Sequence, residues 1–436
     1  MKISYMKVYR FVIALALFSL FVTRLSLASL FKRFWLDEVY DLQGGALKTT
    51  FLGLLKNGPM GGTASPSPLD FMIDRFWMSL FGYHPQVFGD LRLLLRFPHV
   101  VQWALAGVAV YFFMEAFLSR KMPSLRPLNR SLVAAASAVF YHANTFASYY
   151  AIETRPYSLW CFFTTLHVLF FLWDVFFGLN RKQFYFYGIV CILLAFTTYA
   201  SLGMILGTFM LQYFLLEKRK RLGLYAGLSA VCVGIGGWYF LKMPALVYPA
   251  SWGLAFEELG EVIAKSLHSH SPVTFILTLF FFCFFMPFWT RGIKKYRVIY
   301  ACVWGAIAYC HVLILSCLLH HYLIASRQFI FLVPYLTAAY GLGLFQLMQW
   351  VVVAMKRIRP LAQFGFVQVL VAWACISLTS RVVSDMKSIR HDLVFFGKRH
   401  ALSRTHSTNC LVDSPKLQEA DTEQRFEDLN NLCRSF

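Results

Sequence analysis

Charged residues are scarce in this chain, and acidic ones most of all. Only 14% of the 436 residues are charged and 58% are hydrophobic, against roughly 25% and 45–50% in soluble domains. A water-soluble fold could not bury so much apolar surface, so a soluble globular protein is excluded. Runs such as 11–21, 100–113 and 298–319 approach or reach the roughly 20 apolar residues that cross a bilayer. The composition therefore predicts a membrane protein with many spans.

The sequence also lacks the usual signatures of nucleotide and zinc binding. It contains no Gly-rich phosphate loop of the P-loop or dinucleotide type, and no cytoplasmic stretch long enough for a nucleotide-sugar-binding domain. Its ten cysteines show no metal-type spacing. Cys410 and Cys433 fall in the polar tail, where a disulfide could form if that tail is extracytoplasmic, and the sequence leaves this open.

The net charge of +20 is explained by where the basic residues lie. They form short clusters between the apolar runs, which is the signature of cytoplasmic loops. No nucleic-acid partner is therefore expected. The clusters are Lys2/Lys7/Arg10, Arg120/Lys121/Arg126/Arg130, Arg181/Lys182, Lys218/Arg219/Lys220/Arg221, Arg291/Lys294/Lys295/Arg297 and Lys356/Arg357/Arg359.

If every basic cluster is cytoplasmic, neighbouring clusters must be joined by an even number of crossings. This parity predicts an all-α bundle of about eleven spans within 1–380. The first span is expected to be uncleaved, with the amino terminus inside and a short tail, 381–436, outside. After the first two spans, the expected crossings are 131–148, 157–177, two short ones meeting at 197–201, then 223–241, 272–290, 298–318, 328–350 and 361–380.

The first outer loop, about 31–96, is expected to contain two amphipathic helices that lie on the membrane. Leu47, Phe51, Leu54 and Leu55 follow helical spacing within Gln43–Lys56. A second helix is expected over Leu69–Phe81, after the Pro-containing stretch 65–68 and before Gly82. Such helices would wall a cavity at the outer face.

Charged residues in separate outer turns are the candidates for function. Carboxylates at the membrane boundary are costly without partners or a wet cavity, so they indicate function by default. Each candidate also has a purely structural explanation: an ordinary loop start, a helix-capping Glu–Arg pair, or scattered interfacial polar residues. The candidates are Asp37 and Glu38 after the first span, Glu153, Arg155 and Tyr157 in the turn 149–157, His320, His321 and Arg327 before the tenth span, and Lys242 and Lys265 in the loop 242–271.

These residue types suit the transfer of a sugar from a lipid phosphate. That reaction needs a base for the acceptor hydroxyl and cations for the leaving phosphate. Asp37 could be the base, and Arg155 and Arg327, with Lys242 or Lys265, could bind the phosphate. Glu38, Glu153 and the two histidines could orient the base or hold a divalent ion, although no ligand spacing establishes a metal.

Several motifs resemble those of the membrane-embedded C-type (GT-C) glycosyltransferases, in the branch of protein O-mannosyltransferases and lipid A aminoarabinose transferases. Phe34-Trp35-Leu36-Asp37-Glu38 looks like the family's aspartate–glutamate motif, and Tyr149–Tyr157 looks like its Tyr-rich turn with an acid and Arg. The stretches 67–70, 80–82 and 95–98, which include Arg96, resemble its loop before the second span, and 326–334 resembles its late Arg segment.

The resemblance, over about 10–350, implies a GT-C-like fold in the inner (plasma) membrane. It implies that Asp37 is the catalytic base with Glu38 beside it, that the donor is a polyprenyl-phosphate sugar, and that the site faces the periplasm or an equivalent lumen. Arg96 is carried over as a further substrate-binding residue. The chain departs from the family at Asp70, where Tyr is common, and in lacking its soluble carboxyl-terminal domain. The acceptor, whether lipid, glycan or protein, is left open.

Other functions are kept as alternatives. A transporter or flippase of a lipid-linked sugar or anion would be expected to show internal repeats and charges near the bilayer midplane, and neither is evident in the sequence. A polymerase or ligase of surface polysaccharide would be expected to carry a long Arg-rich outer loop. A scaffold that only binds would not need an acid pair at the membrane boundary.

Overall fold

The structure is a computed structural model, and it describes most of the first 241 residues and parts of the remainder. Within the described residues the chain is helical and contains no strand. The described residues are 2–32, 38, 50–57, 68–81, 91–123, 125–215, 222–241, 259–260, 262, 303, 305–306, 309–310, 326–338, 365, 367–368, 371–376 and 378–383.

Ten α-helices and two 3₁₀ turns with defined bounds occur in the described part. The helices are α1 (Lys2–Phe31), α2 (Phe51–Asn57), α3 (Leu69–Phe81), α4 (Leu91–Lys121), α5 (Pro127–His142), α6 (Thr145–Tyr150), α7 (Tyr157–Phe176), α8 (Arg181–Thr197), α9 (Leu202–Leu215) and α10 (Leu222–Phe240), and the 3₁₀ turns are Tyr199–Ser201 and Ser326–Phe329.

Among the described residues, four helices are long and apolar enough to cross a membrane. They contain the stretches Val8–Leu30, Arg92–Lys121, Tyr157–Phe176 and Gly223–Phe240. Each of these overlaps a predicted span. The predicted membrane character is thus supported by helix length and composition. The predicted spans 272–290 and most of 298–318 lie outside the described residues, as does the tail after 383.

The helix boundaries follow from local sequence. The helix predicted over Leu69–Phe81 is present with these bounds as α3, and α2 covers the end of the other predicted interfacial helix. The predicted span 131–148 is interrupted: α5 ends at His142, and Asn144 begins α6 by accepting a hydrogen bond from the backbone N–H of Ala147. Asn180 and Gln183 form a capping box that starts α8.

The helix α4 is central to this part of the bundle. It packs against α1, α5 and α7, while α7 also packs against α8, and α8 against α10. The ion pair of Arg10 with Glu115 (2.6 Å) joins α1 to α4 at one end. At the other end, where α1 finishes and α4 and α7 begin, the polar groups described below come together.

Close approach of α1, α4 and α5 depends on the absence of a side chain at Gly107. A Cβ there would lie 2.7 Å from the Phe21 ring, and that ring cannot easily move because it is stacked on His142 with centroids 3.8 Å apart. We expect Gly107→Ala to destabilise the protein by about 1–2 kcal/mol, because overpacking exceeds the gain in helix propensity.

Thermal unfolding in detergent measures this effect. Gly234→Ala in α10 is the matched control, because a Cβ at Gly234 would meet no heavy atom within 4 Å and the substitution should be neutral or slightly stabilising. Equal melting temperatures for the two variants would show that the α1–α4–α5 contact is looser than described.

Candidate functional site

The pair of Glu38 and Arg96 lies at the centre of a buried polar cluster. Arg96 Nε and Nη2 donate to the two carboxylate oxygens of Glu38 at 3.1 and 2.8 Å, the two-bond geometry in which guanidinium and carboxylate bind most strongly. Both side chains are fully buried. Arg96 Nη1 also donates to the carbonyl oxygens of Ser29 and Lys32, at 3.0 and 2.6 Å, so Arg96 ties the end of α1 to α4.

The same carboxylate reaches the turn before α7. Glu38 Oε1 accepts from the backbone N–H of Thr154 at 2.8 Å and from the Thr154 hydroxyl at 3.3 Å. These residues are 116 positions apart in the chain. Two of the turns that the sequence analysis singled out, after the first span and before α7, therefore meet directly.

A second ion pair lies beside the first. Lys32 Nζ is 2.6 Å from Glu153 Oε1, donates to the carbonyl oxygen of Tyr149 at 2.8 Å, and lies 3.6 Å from the centroid of the Tyr149 ring. Burial lowers the pKa of Lys32, while the nearby carboxylates of Glu153 and Glu38 oppose that shift. We call Lys32, Glu38, Arg96, Glu153 and Thr154 the Glu38 cluster.

Arg155 lies beside this cluster. Arg155 is only 4% exposed, and its guanidinium carbon is 5.2 Å from the centroid of the Tyr157 ring. A guanidinium with so little solvent contact interacts more strongly with charged groups than an exposed one does.

The segment that follows Arg327 packs against the start of α7. Arg327 belongs to the 3₁₀ turn Ser326–Phe329, and Phe331 just after it lies with its ring centroid 5.4 Å from that of Trp160. Trp160 is one helical turn beyond Tyr157. The backbone of the third predicted stretch is thus at the same end of the bundle as the Glu38 cluster.

A further buried set, which the sequence analysis missed, comprises Asp70 and Asp74 on α3 and His99 on α4. Candidate metal-ligand atoms of the three residues lie within 4.8 Å of one another. His99 Nε2 is 3.1 Å from Asp74 Oδ1, and His99 Nδ1 is 3.8 Å from Asp70 Oδ1. We call these residues the Asp–His cluster. Two acids four residues apart in a predicted amphipathic helix were the signal that could have revealed it.

Pro98 explains how α3 is held against α4 at this point. A proline inside a helix has no N–H to donate to the carbonyl four residues earlier, which here belongs to Leu94. The indole N–H of Trp77 on α3 donates to that carbonyl instead, at 2.8 Å. The Trp77 ring also stacks on Phe97, with centroids 5.3 Å apart. These contacts place Asp70 and Asp74 opposite His99.

The structure brings several of the predicted residues together, and it does not describe the others. Glu38, Arg96, Glu153, Arg155 and Tyr157 are all buried at one end of the bundle. All three side-chain nitrogens of Arg96 donate to protein acceptors, and its predicted contact with substrate stays a prediction. Asp37, Lys242, Lys265, His320 and His321 lie outside the described residues, and of Arg327 only the backbone is described.

No protein-family model matches the chain, and no curated protein matches it significantly. Function is therefore inferred from the residues and their geometry.

Proposed function

We propose that the chain is a membrane-embedded glycosyltransferase of GT-C-like fold with about eleven spans. It would move a sugar from a polyprenyl-phosphate donor to a lipid, glycan or protein acceptor at the extracytoplasmic face of the inner (plasma) membrane. The observation that supports this most is the contact of Glu38 with Thr154. Glu38 follows Asp37 in the chain, and Thr154 precedes Arg155. The contact therefore joins the turn that carries the proposed base to the turn that carries a proposed phosphate-binding cation.

The proposed reaction divides the work between these two turns. Asp37 removes the proton of the acceptor hydroxyl, and the resulting oxygen attacks the anomeric carbon of the sugar. The bond from that carbon to the phosphate oxygen breaks, and the bonding electrons leave with polyprenyl phosphate. Arg155 and Arg327, with Lys242 or Lys265, stabilise the charge on the departing phosphate.

Glu38 and Arg96 serve as positioning residues in this proposal. Both oxygens of Glu38 accept bonds from Arg96, and one also accepts from Thr154, so the carboxylate is directed at donors of the protein itself. The pair fixes the backbone next to Asp37 to α4 and to the turn before α7. The Lys32–Glu153 pair adds a second tie between α1 and that turn.

The proposed orientation can be tested by cysteine labelling from either side of the membrane. Tyr149, which is 40% exposed, lies beside the Glu38 cluster, and the exposed Lys182 lies in a predicted cytoplasmic cluster. We expect a membrane-impermeant maleimide added outside intact cells to label Tyr149→Cys and not Lys182→Cys, in a background without reactive native cysteines. Labelling of Lys182→Cys from outside would contradict the proposed orientation.

Donor consumption tests the enzyme proposal itself. Purified protein in liposomes is given polyprenyl-phosphate sugars and a membrane extract as the source of acceptor, and free polyprenyl phosphate is measured. A transferase releases the carrier and forms a new glycosidic bond, detected by mass spectrometry. A flippase, the alternative function, moves the intact donor across the bilayer without consuming it, and that result would overturn the proposal.

A further inference from the structure

The contact between His99 and Asp74 requires a positive charge between them. The Ser158 hydroxyl donates to Gln102 Oε1 and lies 3.1 Å from His99 Nδ1, so it accepts from Nδ1–H. That tautomer directs the lone pair of Nε2 towards Asp74 Oδ1 at 3.1 Å. Among the described residues, neither Nε2 nor Oδ1 has a hydrogen-bond partner besides the other. Two electron-rich atoms buried at this distance repel unless a cation or a proton lies between them.

The surroundings of the two atoms favour a metal ion over a proton. Asp70 supplies a second carboxylate, one oxygen of which lies within 4.8 Å of a ring nitrogen of His99 and of an Asp74 carboxylate oxygen, and the side chains of Asp70 and His99 are completely buried. Adjacent ligands around a zinc-like ion are separated by roughly 3 Å, as bonds of about 2.0–2.2 Å require, and the separation between His99 and Asp74 fits this value. A divalent ion would neutralise both carboxylates at once.

We infer that Asp70, Asp74 and His99 bind a divalent transition-metal ion of the Zn²⁺ or Mn²⁺ class. An imidazole nitrogen with two carboxylates suits these ions better than Mg²⁺ or Ca²⁺, which are usually bound by oxygen ligands alone. Ser158 acts through His99, since its hydroxyl fixes the ring tautomer as the outer partners of metal-bound histidines do. The inference is independent of the proposed transferase activity.

Such an ion would join α3 to α4 at the Glu38 cluster. His99 is one helical turn from Arg96, and the Trp77 bond to Leu94 lies beside both. The metal would therefore hold the interfacial helix α3 in place and keep the start of α4, with Arg96, in a fixed position. Three protein ligands would also leave coordination positions for water or another ligand.

Metal content and metal affinity test the inference without any activity assay. The full chain is purified in detergent, stripped with a chelator, exposed to Zn²⁺, Mn²⁺ or Mg²⁺, and analysed by mass spectrometry for bound metal. We expect about one Zn²⁺ or Mn²⁺ per chain and little Mg²⁺, with a higher melting temperature in the metal-loaded protein. Asp74→Asn should lower the bound metal at least about tenfold, and Ser158→Ala, which retains all three ligands, should weaken affinity about 10–100-fold.

Asp174→Asn is the matched control, because Asp174 is also a buried aspartate but accepts from the backbone N–H of Leu179 and from Tyr225, away from α3. Its metal content should equal that of the wild type. If Asp74→Asn does not fold, a Co²⁺ titration of wild type and Ser158→Ala, followed by visible absorption, gives the same comparison. Absence of bound metal after loading, or equal affinity in Ser158→Ala and wild type, would overturn the inference and leave a proton between His99 and Asp74.

Discussion

Asp37→Asn is expected to abolish sugar transfer while leaving the protein folded. The amide has nearly the same shape as the carboxylate but cannot accept the acceptor's proton, and loss of a general base typically lowers a rate by about 10²–10⁴-fold. Glu38 next to it is held by Arg96 and Thr154, so it should not take over the lost function. The measurement is release of polyprenyl phosphate from the donor by purified protein in liposomes.

The control for Asp37→Asn is a variant that changes a buried acid outside the Glu38 cluster. Asp174→Asn removes one carboxylate at the junction of α7 and α8, far from the Glu38 cluster along α7. It should retain transfer per folded molecule even if its melting temperature falls. Retention of near wild-type transfer by folded Asp37→Asn would remove the base assignment, and with it the main chemical argument for this enzyme class.

The parts of the fold that local sequence determines could be predicted. The apolar runs predicted the four long apolar helices of the described part. Turn residues on either side of an amphipathic stretch predicted α3, and the polar residues at 197–201 predicted the break between α8 and α9. These features depend on neighbours within one or two helical turns. Asn144 is the exception: its side chain interrupts a run that hydropathy alone describes as continuous.

The pairing of charged side chains could not be predicted in the same way. Hydropathy identified Glu38, Glu153 and Arg155 as unusual, but which group bonds to which depends on how α1, α4 and α7 pack. A lysine at the end of a span is common, so the sequence does not distinguish Lys32, yet Lys32 bonds to Glu153 across 121 positions. A lone histidine in an apolar helix gives no sign of a ligand role in the sequence, and only the position of α3 brings Asp70 and Asp74 to His99.

Arg96→Met is expected to cause the largest loss of stability among the ion-pair variants. It leaves the Glu38 carboxylate buried without its partner, and breaking a buried pair from one side typically costs about 3–5 kcal/mol. Glu38→Gln/Arg96→Met removes both charges, so it should recover part of that loss even though the carbonyls of Ser29 and Lys32 lose a donor. Thermal unfolding of both variants in detergent measures the difference.

The matched control is Arg10→Met, because the Arg10–Glu115 pair also joins α1 to α4 but its arginine side chain is 31% exposed. Glu115 is only 7% exposed, but solvent at Arg10 screens this pair, so Arg10→Met should lose less stability than Arg96→Met. If Arg96→Met loses no more stability than Arg10→Met, or if Glu38→Gln/Arg96→Met is less stable than Arg96→Met, Glu38 does not depend on Arg96 for charge balance. The Glu38 cluster would then not be what fixes the chain beside Asp37, because the carboxylate would have another cation or a proton to compensate it.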